Sequence, residues 1–183
     1  MKDCGLAIDV VLKSSDGELF GAHQRNLETH TEGFPIAGST VASDPVLLEE
    51  TAEVLRLVLG FTHNVRSVNL DTINFTLLAS LAEAVEKYMI YAPMEICRIL
   101  MSYVVQFKIS IQPSLIFRLI LRLAINNHPN EVFLYSVKHN YPELADEAAK
   151  LTLKHSASDF VDLIRKAGCD DGIVVRWVGL LFS

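Results

Sequence analysis

The side chains with the most capacity for chemistry are few and widely spaced. His23 and His30 stand seven positions apart, a spacing that sets both on one face of a helix, with Asp9 and Cys4 upstream as the nearest further ligands or proton carriers. A closed zinc site takes four ligands, and Cys4 is the one soft ligand nearby, so a metal site is left incomplete. Glu49, Glu50 and Glu53 gather carboxylates where a helix begins. There they complement the positive end of the macrodipole, and that role is expected in place of acid–base catalysis. Cys97, flanked by Ile96 and Ile99, reads as a small buried hydrophobe. Arg118 and Arg122, one helical turn apart on an apolar segment, read as a solvent-facing stripe. His63 follows a helix with no partnered carboxylate in view and is expected to be a partly exposed loop residue. The motifs GxxxxGK[ST], GxGxxG after a strand, GxSxG and HExxH are absent. No cofactor, no metal and no catalytic residues are expected.

Composition narrows the class further. The 183 residues are 50% hydrophobic and 21% charged, with 9 Gly and 6 Pro, which is ordinary for a chain that folds around a core. Sixteen basic against 22 acidic residues give a net charge of −6, which disfavours a nucleic-acid partner. Three cysteines at wide spacing form no disulfide framework. The start of the sequence lacks the apolar core of a secretory signal. The apolar runs Leu115 to Ile125 and Ile173 to Phe182 are too short to cross a bilayer. A cytoplasmic or nuclear protein away from membranes is expected, and the sequon at Asn74 is set aside on the same ground.

The elements that must position these residues can be read from periodicity. Asp9 to Ser14 is a strand, Asp16-Gly17 a hairpin turn and Leu19 to Ala22 the returning strand, followed by a short helix from His23 to Glu28. Gly33 to Pro45 has loop composition. Val46 to Glu50 reads as a third strand, and Thr51 to Phe61 as a helix with one buried stripe. From Phe75 the pattern is helical as far as Tyr91, where Tyr91-Ala92-Pro93 breaks it. A second helix then starts near Pro93 and is expected to be buried nearly all round. Beyond Gln112 come helical segments over Leu115 to Ile125, Asn130 to His139, Pro142 to His155 and Asp159 to Lys166. A turn at Gly168 to Gly172 leads into the apolar tail.

Taken together, Asp9-Val10-Val11-Leu12, then Phe20-Gly21-Ala22-His23-Gln24-Arg25-Asn26-Leu27, then Phe34 resemble the opening of a BTB/POZ domain. Val46 to Glu50, Val54 to Phe61, and Leu77-Leu78 with Leu81-Ala82, Tyr88, Met94 and Cys97 are similar to its later strand and helices. The resemblance covers about residues 9 to 103 and is strongest to fungal BTB-domain proteins with a helical C-terminal extension. Thr31 stands where that family usually has Ser, His63 where it has Tyr, and Asn64 where this branch tends to have Pro. The fold it implies is α+β, a small three-stranded sheet covered by a helical cluster over residues 1–108, followed by an all-α extension over 109–183.

The function the resemblance implies is a non-catalytic protein–protein interaction module, an adaptor or scaffold whose partner is a cullin or a second BTB domain, the latter giving a homodimer. Cullins dock on such domains across the region matching Val46 to Asn64 and the end of the helix that closes at Tyr91. The partner-binding residues expected are Val46, Leu48, Glu50, Phe61, His63, Asn64, Tyr88 and Tyr91. Asp9, His23 and Arg25 match the opening motif and are expected to shape the fold. Trp177 in the apolar tail either packs back on the extension or anchors a partner. The competing class is a small intracellular enzyme with a site near His23 and His30.

Overall fold

The computed structural model describes residues 7–34, 45–63, 68, 70, 73–102, 127–152, 157–166 and 171–181. Its contacts divide the chain into Met1–Cys97 and Arg98–Ser183. The boundary expected at 108 falls among residues outside the described set, as do the segment 115–125, Cys4, Cys169 and most of the loop 33–45.

In the first unit, β1 (Val10–Lys13) and β2 (Leu19–Ala22) pair antiparallel with Val10 opposite Ala22 and Lys13 opposite Leu19. Gly17 turns the hairpin at φ +91, a conformation that favours glycine, and its amide donates to the Ser14 carbonyl at 3.0 Å. The third strand, β3 (Val46–Leu47), lies parallel to β1 on its other side, giving the order β2-β1-β3. It is shorter than the five residues expected. Leu48 still bonds the Lys13 carbonyl through its amide, but Glu49 and Glu50 bend away towards the end of a later helix. Period-2 alternation makes one sheet face the core: Val10, Leu12 and Ala22 are buried there, and Leu12 lies between Phe20 and Val46.

Among the described residues four helices follow, the last running past Cys97. The first, α1 (Gln24–His30), buries Leu27. The second, α2 (Ala52–Phe61), turns Ala52, Val54, Leu55, Val58 and Leu59 inward against α3 (Phe75–Lys87), whose Leu78, Leu81, Ala82 and Val85 repeat at helical spacing. Asn74, the residue of the sequon, caps α3 by accepting from the Leu77 amide at 2.8 Å. The helical pattern does not run on to Tyr91. Met89 at φ +51 takes the left-handed position, the Ile90 amide reaches back to the Val85 carbonyl at 2.9 Å, and α4 (Tyr91–Ser102) starts afresh. That helix is not buried all round, since Tyr91, Ile96 and Ile99 are exposed while Cys97 is interior.

The second unit is helical throughout its described residues. Pro129 opens α5 (Pro129–Lys138), where its missing amide costs nothing, and Asn140 at φ +58 closes it. Next, α6 (Pro142–Thr152) packs on α5 with Leu144, Ala145, Ala148 and Ala149 buried, the three alanines being small enough to let the two backbones approach. Then α7 (Ala157–Lys166) contributes buried Phe160 and Ile164. The apolar tail is a helix, α8 (Asp171–Leu181), so Asp171 and Gly172 belong to its first turn and not to the expected loop.

Candidate functional site

Each of the hairpin's two aspartates caps a helix that is distant in sequence. His23 and Thr51, the residues that precede α1 and α2, make no side-chain cap of their own. Asp9 accepts from the Gln24 amide at 2.7 Å, and Asp16 accepts from the Ala52 amide at 3.0 Å. Hydrogen bonding from Ser14, with the Ala52 amide and the Arg56 charge, holds the Asp16 carboxyl below its ordinary value. His23 is buried, with Nδ1 2.7 Å from the Ala7 carbonyl. The opening motif is thus a fastening of strand to helix, with Arg25 outside it on the exposed face of α1. His30 lies in the last turn of the same helix, about 10 Å along the axis from His23. The structure does not bring the two together.

The neighbour of His23 is His63. Their ring centroids are 5.2 Å apart, and His63 Nδ1 lies 2.8 Å from the Leu59 carbonyl. His63 is 7% exposed, which corrects the expected partial exposure: just past the end of α2 the imidazole folds inward onto the Leu59 carbonyl, which also accepts from the Thr62 amide and hydroxyl. Asn64 lies outside the described residues.

A second cluster joins the end of α3 to the bend after β3. The Tyr88 hydroxyl donates to Glu50, and Lys87 Nζ donates to Glu49 and Glu50, each at 2.9 Å. Burial alone would raise the Glu50 carboxyl, but the bonds from Tyr88 and Lys87 outweigh it and hold the group below its ordinary value. Burial and the same carboxylate push the Tyr88 hydroxyl far above the usual phenol range. Glu49 and Glu50 therefore serve this tie, not the start of α2, where Glu53 alone occupies the first turn. Gly33 completes the arrangement. Its amide donates to the Tyr88 carbonyl at 3.1 Å, and a Cβ there would stand 2.5 Å from the Lys87 carbonyl oxygen, so the chain closes only on glycine. Phe34 then stacks on Tyr88 at 4.4 Å between centroids.

These placements sort the expected partner residues. Leu48, His63, Tyr88 and Trp177 are interior side chains and shape the surface from beneath; Glu50 is committed to Tyr88 and Lys87. Trp177 donates its indole N–H to Thr152 Oγ1 at 2.6 Å and stacks on Phe160 at 4.5 Å, which is the packed-back alternative. Val46 and Phe61 are half-buried, and Tyr91 is exposed. The Tyr91 hydroxyl bonds to Glu32, and that bond holds it above its ordinary value. Burial pushes the Cys97 thiol up to about 12, so it is an unreactive core group. No known family model matches this chain, and no curated protein does. Among the described residues no three histidine, cysteine or carboxylate side chains gather to hold a metal ion, and no helix is long and apolar enough to cross a membrane.

The surface that sequence reading missed is the outer face of the sheet. Cross-strand register puts Leu47, Lys13 and Leu19 in one row, with Val11 and Gly21 in the next. Leu47 is 74% exposed, Leu19 58%, and Ile8, which lies over Gly21, 64%. The signal was present in Val10-Val11-Leu12. Val11 interrupts the alternation of β1 with an apolar residue on the outer face, beside Lys13.

Proposed function

We propose that this chain is a non-catalytic protein–protein interaction module of BTB/POZ type, acting as adaptor or scaffold through its first unit towards a cullin or a second copy of itself. The observation that carries the reading is the apolar outer sheet face. Ile8, Leu19 and Leu47 are exposed around half-buried Val11 and Lys13 on one side of a sheet whose other side buries Val10, Leu12 and Ala22, and grouped exposed apolar residues mark interaction sites. The order of elements supports the same reading: hairpin, helix, parallel third strand and two packed helices follow the succession that the resemblance implies. Leu47 also lies within the region that matches the cullin-docking surface of that family.

Light scattering of the purified chain, alone and mixed with a cullin N-terminal domain, tests the proposal. A one-to-one complex or a homodimer is expected, weakened about tenfold or more by Leu47→Asp, since a buried charge at the centre of an apolar contact costs well over 1.4 kcal/mol. Circular dichroism of the variant should be unchanged, because Leu47 contributes little to the core. A monomer that ignores the cullin domain would count against the reading.

A further inference from the structure

The outer edge of β2 has its own chemistry. Along β1, the Ser14 amide bonds the Glu18 carbonyl on the β2 side, while the Lys13 carbonyl and the Ser15 amide bond Leu48 and Glu50 on the β3 side. Backbone groups alternate in direction along a strand, so 10, 12 and 14 face β2 and 11, 13 and 15 face β3. Carried through the register, Phe20 and Ala22 of β2 face β1. Leu19 and Gly21 then point their amides and carbonyls away from the sheet, and no described residue bonds these four groups. The edge is blunted by its shortness but not by charge or proline. Leu19-Phe20-Gly21-Ala22 contains no proline and no charge, and its register holds without a bulge.

We propose that this edge binds an extended peptide as a fourth, antiparallel strand, Leu19 and Gly21 supplying the backbone bonds and the outer face selecting apolar side chains at alternate positions. The inference rests on the reading of the chain as an interaction module and names one class of partner for it. Four outward groups spaced along an edge about 13 Å long fix the occupant's backbone as extended. Leu19 and Ile8 beside them offer apolar contact on one face. The same shortness favours a peptide over a second copy: a four-residue edge falls far below the ~800 Å² per partner of a stable interface. At the Leu19 end Glu18 is paired with Arg56, Asp16 caps α2, and Lys13 stands opposite Leu19, so the charges there are already matched and recognition of the peptide is left to its backbone and apolar side chains.

The test uses the full chain labelled with ¹⁵N and a synthetic peptide of alternating valine and threonine. Binding is expected to shift the Leu19 and Gly21 amides and to slow their hydrogen exchange about tenfold, leaving Phe20 nearly unmoved. Leu19→Pro removes an outward amide while sparing the ladder, and should weaken the peptide about fivefold to tenfold. Leu19→Lys gives the same reading if the proline variant does not fold. A peptide with proline at its two central positions should not bind. Leu19 and Gly21 amides already protected in the free chain, absence of shifts at millimolar peptide, or equal binding by both variants would each overturn the proposal. A Leu47-dependent complex that survives such a failure would leave the module reading standing. Peptide binding without any cullin complex or dimer would do the reverse.

Discussion

Tyr88→Ala is expected to lower the stability of the first unit by about 3–5 kcal/mol, the cost of emptying a large, fully buried aromatic site. Tyr88 is 1% exposed, and its ring supports Phe34 while its hydroxyl holds Glu50, so the loss reaches two chain segments besides α3. Tyr88→Phe keeps the ring and removes one bond to a charged group, worth about 1.5–3 kcal/mol. The two variants separate packing from charge through pH. The Glu50 carboxyl is held below its ordinary value in the fold, so its stabilisation is present near neutrality and fades as pH falls through that lowered value. With Tyr88→Phe, Lys87 and a backbone bond are left to oppose the effect of burial, and the acid limb should flatten. Urea unfolding followed by circular dichroism, near neutrality and in acid, checks both. A Tyr88→Phe profile parallel to that of the parent would remove Glu50 from the account.

In the second unit the corresponding residue is Trp177. Trp177→Ala should destabilise that unit by about 3–5 kcal/mol, because the indole joins Thr152 on α6 to the Phe160–Phe133 pair. Trp177→Phe retains a ring against Phe160, loses the bond to Thr152, and should cost about 1 kcal/mol beyond the difference in size. Trp177 is the sole tryptophan, so its own fluorescence reports the parent and circular dichroism must report the variants. An exposed anchor for a partner would behave oppositely, with stability unchanged and binding lost.

The legible parts of the fold were those written in local pattern. Asp16-Gly17 between two apolar runs gave the hairpin, and the inward stripes gave α2 almost to the residue and the start of α3, though not its end at Lys87. Illegible were pairings that depend on residues brought together from a distance. Glu50 and Tyr88 are 38 positions apart, and nothing in the carboxylate cluster at 49–53 distinguishes a helix-start acid from one bent towards a tyrosine. His63 read as a surface residue because polarity is the local signal, whereas its burial comes from a carbonyl four residues back and an imidazole forty residues upstream. Asp9 caps a helix fifteen residues on, which no window centred on α1 contains. The outer sheet face was missed for a different reason: Ile8, Leu19 and Leu47 lie on three separate stretches, and the register alone collects them.

The parallel pairing of β3 with β1 bears on the order in which the chain acquires its structure. The hairpin closes over five residues and can form within microseconds, whereas β3 must be brought back from more than thirty positions away before Leu48 meets Lys13. Changes in the hairpin turn, such as Gly17→Ala, should therefore slow refolding, and changes at the Glu50–Tyr88 tie should chiefly speed unfolding, a division that stopped-flow chevrons would resolve. Until that late strand arrives, the β3 side of β1 is an open edge along the whole strand, and pairing with the two residues of β3 replaces it with a much shorter border.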